Sequence, residues 1–246
     1  MKILVCISKA PDTTAKIKFT DGDTKFDETG VQFIVNPYDE WYALVRGIEI
    51  KEKQGGSVTT ITVGGADNDP IIRKALAVGA DDAVRIDADP TDAFFVAAQI
   101  ANYAKANAYD MILLGKETIN YNGAQVGGMV AELMDLPYIS NASNMDLDGS
   151  QATIVRDIQG GTETLKVEAP FVLSAAKGLA EQRIPNMRGI MAARTKKLEV
   201  VEAVEAEKLT EVVGYELPEE KGEVKLIDAD NVEKLVELLN KEAKVI

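Results

Sequence analysis

The sequence predicts an α/β fold built on an open parallel sheet, followed by an arm at its C-terminal end. Up to about residue 176, short apolar runs alternate with segments of helical period, which is typical of βαβ units. Residues 3–7 form a continuous apolar run, as expected of a strand covered on both faces. After residue 176 this alternation stops. The pattern divides the chain into a domain over 1–180, a segment over 181–198 and an arm over 199–246.

The elements of the domain follow from its apolar spacing. Shorter apolar runs predict further strands at residues 58–63, 83–86, 111–114 and 171–174. Apolar residues at i, i+3, i+4 and i+7 predict amphipathic helices around residues 41–48, 94–101 and 126–133. Turn residues predict hairpin insertions at 13–35, around Asp21-Gly22-Asp23, and at 151–168, around Gln159-Gly160-Gly161.

The last third of the chain has a different character. Residues 177–197 indicate a loop followed by a basic stretch, and residues 199–224 are acidic and weakly periodic, as in an extended arm. A short terminal helix is predicted from the spacing of Val232, Leu235, Val236 and Leu239. Since such an arm has little core of its own, we expect a neighbouring chain to bury it.

Composition limits the partners and the compartment. The chain carries 27 basic and 40 acidic residues, a net charge of -13, which disfavours nucleic acid and anionic membranes. No segment approaches the roughly 18 apolar residues of a membrane span, so we expect no stable membrane insertion. The apolar run at the start is too short for a secretory signal. We therefore expect a cytoplasmic protein.

Histidine is absent, and Cys6 is the single cysteine. Without histidine the chain lacks the residue most used for acid–base catalysis near neutral pH and the commonest metal ligand. Nucleophile systems based on histidine, and zinc sites of cysteine and histidine, are excluded. Cys6 is expected to be a small buried side chain. We predict no metal site and no catalytic residue.

The best candidate for a ligand site is the segment from Leu113 to Gly127. It runs from a strand end through a polar loop into a helix. Ligands of open parallel sheets bind outside the carboxyl ends of strands, and the N–H groups of a following helix suit phosphate. Gly115 and Gly123 would let a ligand approach the main chain closely. The pattern alone is equally compatible with an ordinary strand-to-helix turn.

Two other segments share this strand-to-helix character. Asn36 is placed as an N-cap, with Pro37 at the first helical position. Gly64 and Gly65 follow a predicted strand that ends at Val63. If the three segments meet at one edge of the sheet, they support a ligand site more strongly together than singly.

The basic segment at 183–197 has two readings. Its arginines and lysines form an ordinary solvated face, or they surround a partner-binding surface. The apolar residues among them, Ile184, Met187, Ile190 and Met191, favour the second, because exposed methionine and isoleucine beside arginine suit a protein interface.

These segments together resemble the beta subunit of an electron-transfer flavoprotein. The matching residues are Leu4 to Lys9, Asn36 to Asp39, Gly115 to Ile119 with Gln125 to Gly127, and Arg183 to Glu199. Arg73, Ala75 to Ala77 and Gly79 to Asp81 also fit a helix and turn of that family. The resemblance runs essentially from end to end. It implies a Rossmann-like domain of the adenine-nucleotide alpha-hydrolase-like class.

The resemblance also implies a function. Such a chain pairs with an alpha subunit, holds a structural AMP, and carries no catalysis of its own. Electrons from acyl-CoA or other flavin dehydrogenases, as in fatty acid beta-oxidation, pass to FAD held mainly by the alpha subunit. A quinone oxidoreductase then accepts them.

The site residues carry over position by position. The AMP contacts fall on Cys6, Asn36, Pro37, Tyr38, Asp39, Val63, Gly115, Lys116, Glu117, Thr118, Ile119, Asn120, Tyr121, Asn122, Gly123, Ala124, Gln125 and Val126. The docking loop for partner proteins falls on Arg183, Ile184, Met187, Arg188, Ile190 and Met191, with Met187 at the position of the apolar anchor. Arm residues 199–246 would wrap the alpha subunit.

One departure concerns the loop before the helix. Many members have an aspartate-rich loop there, whereas this chain has Asn120-Tyr121-Asn122-Gly123. Less negative charge eases the approach of a phosphate, while the bulky Tyr121 changes the side-chain contacts.

Three alternatives remain open. Some relatives hold a second FAD in place of AMP and bifurcate electrons from NADH. An ATP-cleaving enzyme of the related nucleotide-binding type usually has a glycine-rich loop after the first strand, but here residues 8–12 contain no glycine. A homodimeric nucleotide-binding stress-type module is disfavoured by the long acidic arm.

Overall fold

A computed structural model describes residues 1–90, 92–220 and 222–246 of the chain. The strands are β1 (Lys2–Cys6), β2 (Lys9–Pro11), β3 (Phe19–Thr20), β4 (Lys25–Phe26), β5 (Phe33–Val35), β6 (Ser57–Val63), β7 (Asp82–Asp87), β8 (Met111–Gly115), β9 (Tyr138–Asp148), β10 (Gln151–Ile158), β11 (Gly161–Glu168), β12 (Phe171–Ala175) and β13 (Leu198–Glu202). The helices are α1 (Asp39–Gln54), α2 (Asp69–Val78), α3 (Ala93–Asn107), α4 (Val126–Met134), α5 (Met187–Ala193) and α6 (Val232–Lys241), with a short 3-10 turn at Ala66–Asn68.

Nine strands form one sheet in the order β11-β10-β9-β12-β8-β1-β6-β7-β13. From β9 to β13 across the sheet all neighbours pair in parallel, while β10 and β11 extend one edge through antiparallel pairing. The chain builds outward from β1 to β6 and β7, then places β8 on the other side of β1. The predicted α/β class with an open parallel sheet is confirmed. The reversal between β1 and β8 is a switch point of the kind at which such sheets bind ligands.

Helices cover both faces of β1, and its side chains alternate between two core clusters. Ile3 and Val5 pack on the face covered by α1 and α2, whereas Leu4 and Cys6 pack on the face covered by α3 and α4. Ile3, Leu4 and Val5 are completely buried. The continuous apolar run of this strand therefore reflects burial on both faces.

Both predicted hairpins are present. In the first, β3 pairs with β4 around Asp21, Gly22 and Asp23, all with positive φ, and β2 pairs with β5 at the base of the insertion. In the second, β10 pairs with β11 across a turn in which Gly160 has a φ of 84°. The sequence does not predict β9, because polar residues such as Asn141 interrupt its apolar pattern.

The sheet extends beyond residue 180. Residues 198–202 cross the predicted boundary between the segment over 181–198 and the arm over 199–246, but they form β13 and pair in parallel with β7. This edge strand is only half-buried, which explains its weak apolar pattern. The basic stretch expected to be a loop contains the short helix α5, whose Asn186 cap accepts a hydrogen bond from Gly189 N at 2.8 Å.

The terminal helix is confirmed as α6. Its apolar residues Val232, Leu235 and Val236 remain exposed within the described chain, so its apolar stripe is not used in the core of the domain. Of the helices in the described residues, none has the length and apolar character needed to cross a membrane.

Helix α5 lies against α2 through a close main-chain approach. A Cβ at Gly189 would lie 2.3 Å from the carbonyl oxygen of Ala77. Arg73 of α2 donates to the carbonyl oxygens of Ala193 and Lys196 at 2.9 and 2.6 Å. Lys196 donates to a main-chain carbonyl of α2 at 2.9 Å. Cationic side chains therefore hold this basic segment to the domain.

We expect Gly189→Ala to weaken the packing of α5 on α2, because the new methyl group would overlap the Ala77 carbonyl. Alanine favours a helix over glycine by about 1 kcal/mol, but overpacking commonly costs about 1–3 kcal/mol. The free energy of unfolding in urea should fall, and trypsin should cleave residues 183–197 faster. Gly161→Ala is the control, because a Cβ there meets no described atom within 4 Å. Wild-type unfolding together with wild-type cleavage would contradict this packing.

Candidate functional site

The three strand-to-helix segments meet at the carboxyl edge of the sheet, beside β1. The turn after β1 contacts the entry to α1, where Asn36 N donates to Ser8 O at 3.4 Å. Lys9, the first residue of β2, contacts the segment after β6 through an ion pair with Asp67. The loop after β8 contacts the entry to α1 through the Asn36 side chain. The segments therefore converge at the β1/β8 switch point, where a ligand site is expected.

Asn36 is not the N-cap of α1, so that prediction was wrong. The helix begins at Asp39 after Tyr38, and no described side chain caps it. The buried Asn36 amide instead donates to Glu117 O at 3.0 Å and accepts from Ile119 N at 3.2 Å. Lying three residues before the helix, it reaches across to the loop after β8. This pair of hydrogen bonds fixes the course of that loop.

Gly115 and Gly123 have different environments. A Cβ at Gly115 would lie 2.7 Å from Glu40 N and 2.9 Å from Glu40 Cγ. Glycine there permits the close approach of β8 to α1, and the approach of a ligand to its main chain stays a prediction. A Cβ at Gly123 would meet no atom of the described chain within 4 Å. The main chain around Gly123 is exposed and therefore accessible to a ligand.

The loop after β8 leads into an open helix end. Gln125 precedes α4, and no side chain among the described residues caps this helix. The first N–H groups of an α-helix have no partner within the helix, so those of α4 are available at the edge of the sheet. Such an end favours a phosphate or another anion.

Two carboxylates lie buried at the start of α1. Glu40 accepts hydrogen bonds from Ser8 N at 2.8 Å and from Ser8 Oγ at 2.7 Å. Burial, reinforced by the charge of Asp39, raises the pKa of Glu40 from 4.5 to about 8, although the Ser8 hydrogen bonds oppose the change. Burial also raises the pKa of Asp39, partly offset by Lys116.

The other predicted site residues differ in their burial. Cys6 and Val63 are buried at the ends of β1 and β6, so a ligand at the edge would reach their main-chain atoms. Burial and the nearby Glu40 raise the pKa of the Cys6 thiol, as expected of an unreactive cysteine. Pro37 is half-buried, whereas Tyr38 and residues 120–125 are exposed. Lys116 forms an ion pair with Glu117 at 3.1 Å, and Thr118 Oγ1 accepts from Tyr121 N at 3.4 Å.

Tyr121 lies in the loop between β8 and α4, at the carboxyl edge of the sheet. Although 70% of its surface is exposed, the pKa of its phenol is raised, first by the protein surrounding it and then by Tyr215 and Asp89, against the effect of Lys9. Groups from the arm, from the loop after β7 and from β2 are therefore near enough to affect this phenol.

The predicted docking segment combines an anchored end with exposed apolar residues. Arg183 donates to both carboxylate oxygens of Glu52 at 2.8 and 2.9 Å, and its carbonyl accepts from Trp41 Nε1 at 3.2 Å. Ile184 and Met187 expose 88% and 73% of their surfaces. Arg188, Ile190 and Met191 are exposed as well. Arg183 thus positions the segment, while the apolar side chains face outward.

Three residues outside the predicted set, Ser8, Lys9 and Glu40, tie the edge together. Lys9 contacts Glu28 of the hairpin insertion at 3.5 Å in addition to Asp67. The placement of an acid in the first helical turn, which the helix dipole favours, was the available signal for Glu40. Nothing in the pattern signalled the other two. In the described part of the chain, no group of three or more Cys, Asp or Glu is placed to hold a metal ion.

Comparison with known proteins gives consistent matches. A family model described as the electron transfer flavoprotein domain matches residues 23–206. The chain is 36% identical to electron transfer flavoprotein subunit beta of Bacillus subtilis, covering 100% of both chains. It is 34% identical to the protein of that name from Syntrophomonas wolfei, covering 100% of this chain and 98% of the relative. The human protein of that name is 33% identical, over 82% of this chain and 81% of its own.

We expect the stability of the protein to fall between about pH 4.5 and 8 in a way that depends on Glu40. Because its pKa in the folded state is about 8, the folded chain keeps a proton that the unfolded chain releases in this range. The contribution is present in full below the unfolded pKa and is lost as the pH rises through the folded one. The slope is at most about 1.4 kcal/mol per pH unit.

Urea unfolding at pH 5.5 and at pH 7.5 measures this effect. Glu40→Gln keeps an acceptor for Ser8 N and cannot ionise, so the variant should lose less stability than the wild type between the two values. The exposed Glu132 of α4 provides the control Glu132→Gln. Equal losses in the wild type and in Glu40→Gln would show that Glu40 does not titrate in this range.

Proposed function

Because the chain belongs to the electron transfer flavoprotein family, matching its beta subunits over the full length, we propose that it binds AMP and acts through partner proteins. In this proposal an alpha subunit completes a heterodimer and holds most of the FAD. Acyl-CoA or other flavin dehydrogenases donate electrons, and a quinone oxidoreductase accepts them. The chain itself performs no separate catalysis.

The observation that carries the AMP proposal is the clamp of Asn36 on the loop after β8. The buried amide contacts both Glu117 O and Ile119 N, so the loop is held before any ligand arrives. The loop then leads into the start of α4, which has no side-chain cap among the described residues. A loop that is fixed by Asn36 and ends at free N–H groups fits the phosphate of a nucleotide.

The residues present also fit the remainder of a small nucleotide. Gly123 leaves the main chain open on its outer side, and the exposed ring of Tyr121 offers an aromatic surface two residues away. Aromatic side chains provide stacking surfaces for bases. We favour AMP over a second FAD. The nucleotide released on denaturing the purified heterodimer distinguishes the two, and a colourless homodimer that consumes ATP would contradict the proposal.

FAD, when bound, supplies the redox chemistry by accepting and releasing electrons. The role proposed for this chain is to hold the nucleotide, the alpha subunit and the electron donor in place. Exposed apolar side chains along the arm, among them Val213, Val224 and Leu226, support the proposal that the arm binds the alpha subunit. Such residues are stabilised when a partner covers them.

The segment from Arg183 to Met191 supports docking of a dehydrogenase. Its anchored end limits the entropy lost on binding, and its apolar side chains project from a basic surface. An acidic protein with an apolar pocket would match this surface. The arginines then contribute mainly to the rate of encounter and to its salt dependence.

Replacing Gly123 tests the nucleotide site. A side chain at Gly123 meets no described atom within 4 Å, so Gly123→Val should leave the fold unchanged and obstruct only the ligand. We expect less AMP in the purified heterodimer and a lower melting temperature, because a bound ligand stabilises the native state by mass action. Gly161→Val, which also faces open space in the described chain, is the control. An unchanged AMP content in Gly123→Val would remove this loop from the site.

Replacing Met187 tests the docking surface. Truncation of an apolar anchor commonly costs about 2 kcal/mol or more, roughly thirtyfold in affinity. We expect Met187→Ala to weaken electron transfer from a cognate dehydrogenase while AMP, FAD and the heterodimer are retained. Ile158→Ala, an exposed apolar residue at the β10–β11 turn, is the control. Normal transfer kinetics with a lowered melting temperature would mean that Met187 packs internally.

A further inference from the structure

The first part of the arm is attached to the domain at three separate points. The first is Gln99 of α3, whose side-chain amide donates to Val204 O and accepts from Val204 N, each at 2.8 Å. The Gln99 side chain is buried although it is polar. This reciprocal pair holds the chain just after β13 against α3.

The second attachment is Asp92, whose carboxylate accepts hydrogen bonds both from the start of α3 and from the arm. Its Oδ1 accepts from Phe95 N at 2.6 Å and caps α3. Its Oδ2 accepts from Leu209 N at 2.5 Å and from Thr210 N at 2.8 Å. Burial would raise the pKa of Asp92, but these N–H donors outweigh it and lower the pKa. The arm is thereby bound to the helix end that follows β7.

The third attachment is Tyr215, which reaches the hairpin insertion after β1. Tyr215 N donates to Asp23 O at 2.7 Å. The Tyr215 ring stacks on Phe19, with 4.8 Å between ring centroids and 9° between planes. Tyr215 and Ala206 are half-buried, whereas the other described residues between 203 and 220 are exposed. Tyr215 therefore ends a held segment that begins at Val204.

These attachments place the segment along the carboxyl edge of the sheet. Asp92 follows β7, and Phe19 and Asp23 belong to the insertion after β1, so the arm passes the end of β6, which lies between those strands. Tyr215 is also near enough to Tyr121 of the loop after β8 to raise the pKa of that phenol. The arm, the hairpin and this loop thus meet at the edge where the nucleotide is proposed to bind.

We propose that residues 204–215 form a strap that closes over the nucleotide site, held shut by Tyr215 on Phe19. Phe19, Asp92 and Tyr215 are positioning residues in this arrangement, since they act on the ligand through the strap. The inference rests on the proposed nucleotide site. Because the strap continues into the arm proposed to bind the alpha subunit, nucleotide retention and partner binding are linked, and each favours the other to the same extent.

The rate of nucleotide release from the intact heterodimer tests the strap. Complexes loaded with radiolabelled AMP are mixed with excess unlabelled AMP well below the melting temperature, and the label released is followed in time. Loss of an aromatic pair worth about 0.5–1.5 kcal/mol predicts roughly two- to tenfold faster release from Tyr215→Ala. Tyr215→Phe keeps the stacked ring and should release AMP at nearly the wild-type rate. Ile158→Ala, an exposed apolar residue at the β10–β11 turn outside the strap, is the control and should behave as the wild type.

A double substitution distinguishes loss of the Tyr215–Phe19 stack from general destabilisation of the protein. If Tyr215 acts through Phe19, Phe19→Ala and the Phe19→Ala/Tyr215→Ala pair should release AMP about as fast as Tyr215→Ala alone. Additive effects, or release at the wild-type rate from Tyr215→Ala with a normal AMP content, would overturn the strap and leave the nucleotide site intact. A wild-type heterodimer that binds no AMP would overturn the proposed nucleotide site and the strap with it.

Discussion

Glu40 and Ser8 join the end of β1 to the first turn of α1, and the arrangement of the carboxyl edge depends on that junction. Both oxygens of the buried carboxylate are engaged by the one serine, so α1 cannot slide along β1 without losing both bonds. With α1 fixed, β8 can end beside it only because Gly115 has no side chain. The loop after β8 therefore starts from a defined place, and Asn36 then fixes its next residues.

The same junction affects the charge of the edge. The chain has a net charge of -13, and acidic residues stand at the start of α1, close to where a phosphate is proposed to bind. Burial keeps Glu40 protonated up to about pH 8, so at neutral pH this residue adds little repulsion. Free N–H groups at the start of α4 then determine the local preference for an anion. An acidic protein can in this way present an anion site.

The sequence was informative where burial alone sets the pattern. Strands such as β1 and β8, covered on both faces, appear as uninterrupted apolar runs, and the glycine-rich hairpin turns are explicit. It was less informative where a contact is distant in sequence. Asn36 resembles a cap because its partners, Glu117 and Ile119, lie more than 80 residues away. Strand β13 was missed because a half-exposed edge strand needs little apolar surface.

The strap is likewise held by contacts between residues distant in sequence, and their small combined free energy explains why a partner can open or close it. Each hydrogen bond that holds residues 204–215 contributes about 1 kcal/mol net, and ordering one residue of main chain costs about as much or more. Contacts at Val204, Leu209, Thr210 and Tyr215 serve a dozen residues, so they cannot hold the strap closed with a large margin. A segment with so small a preference is easily biased by whatever holds its far end. Binding of the arm by an alpha subunit would therefore be enough to change how long the nucleotide stays.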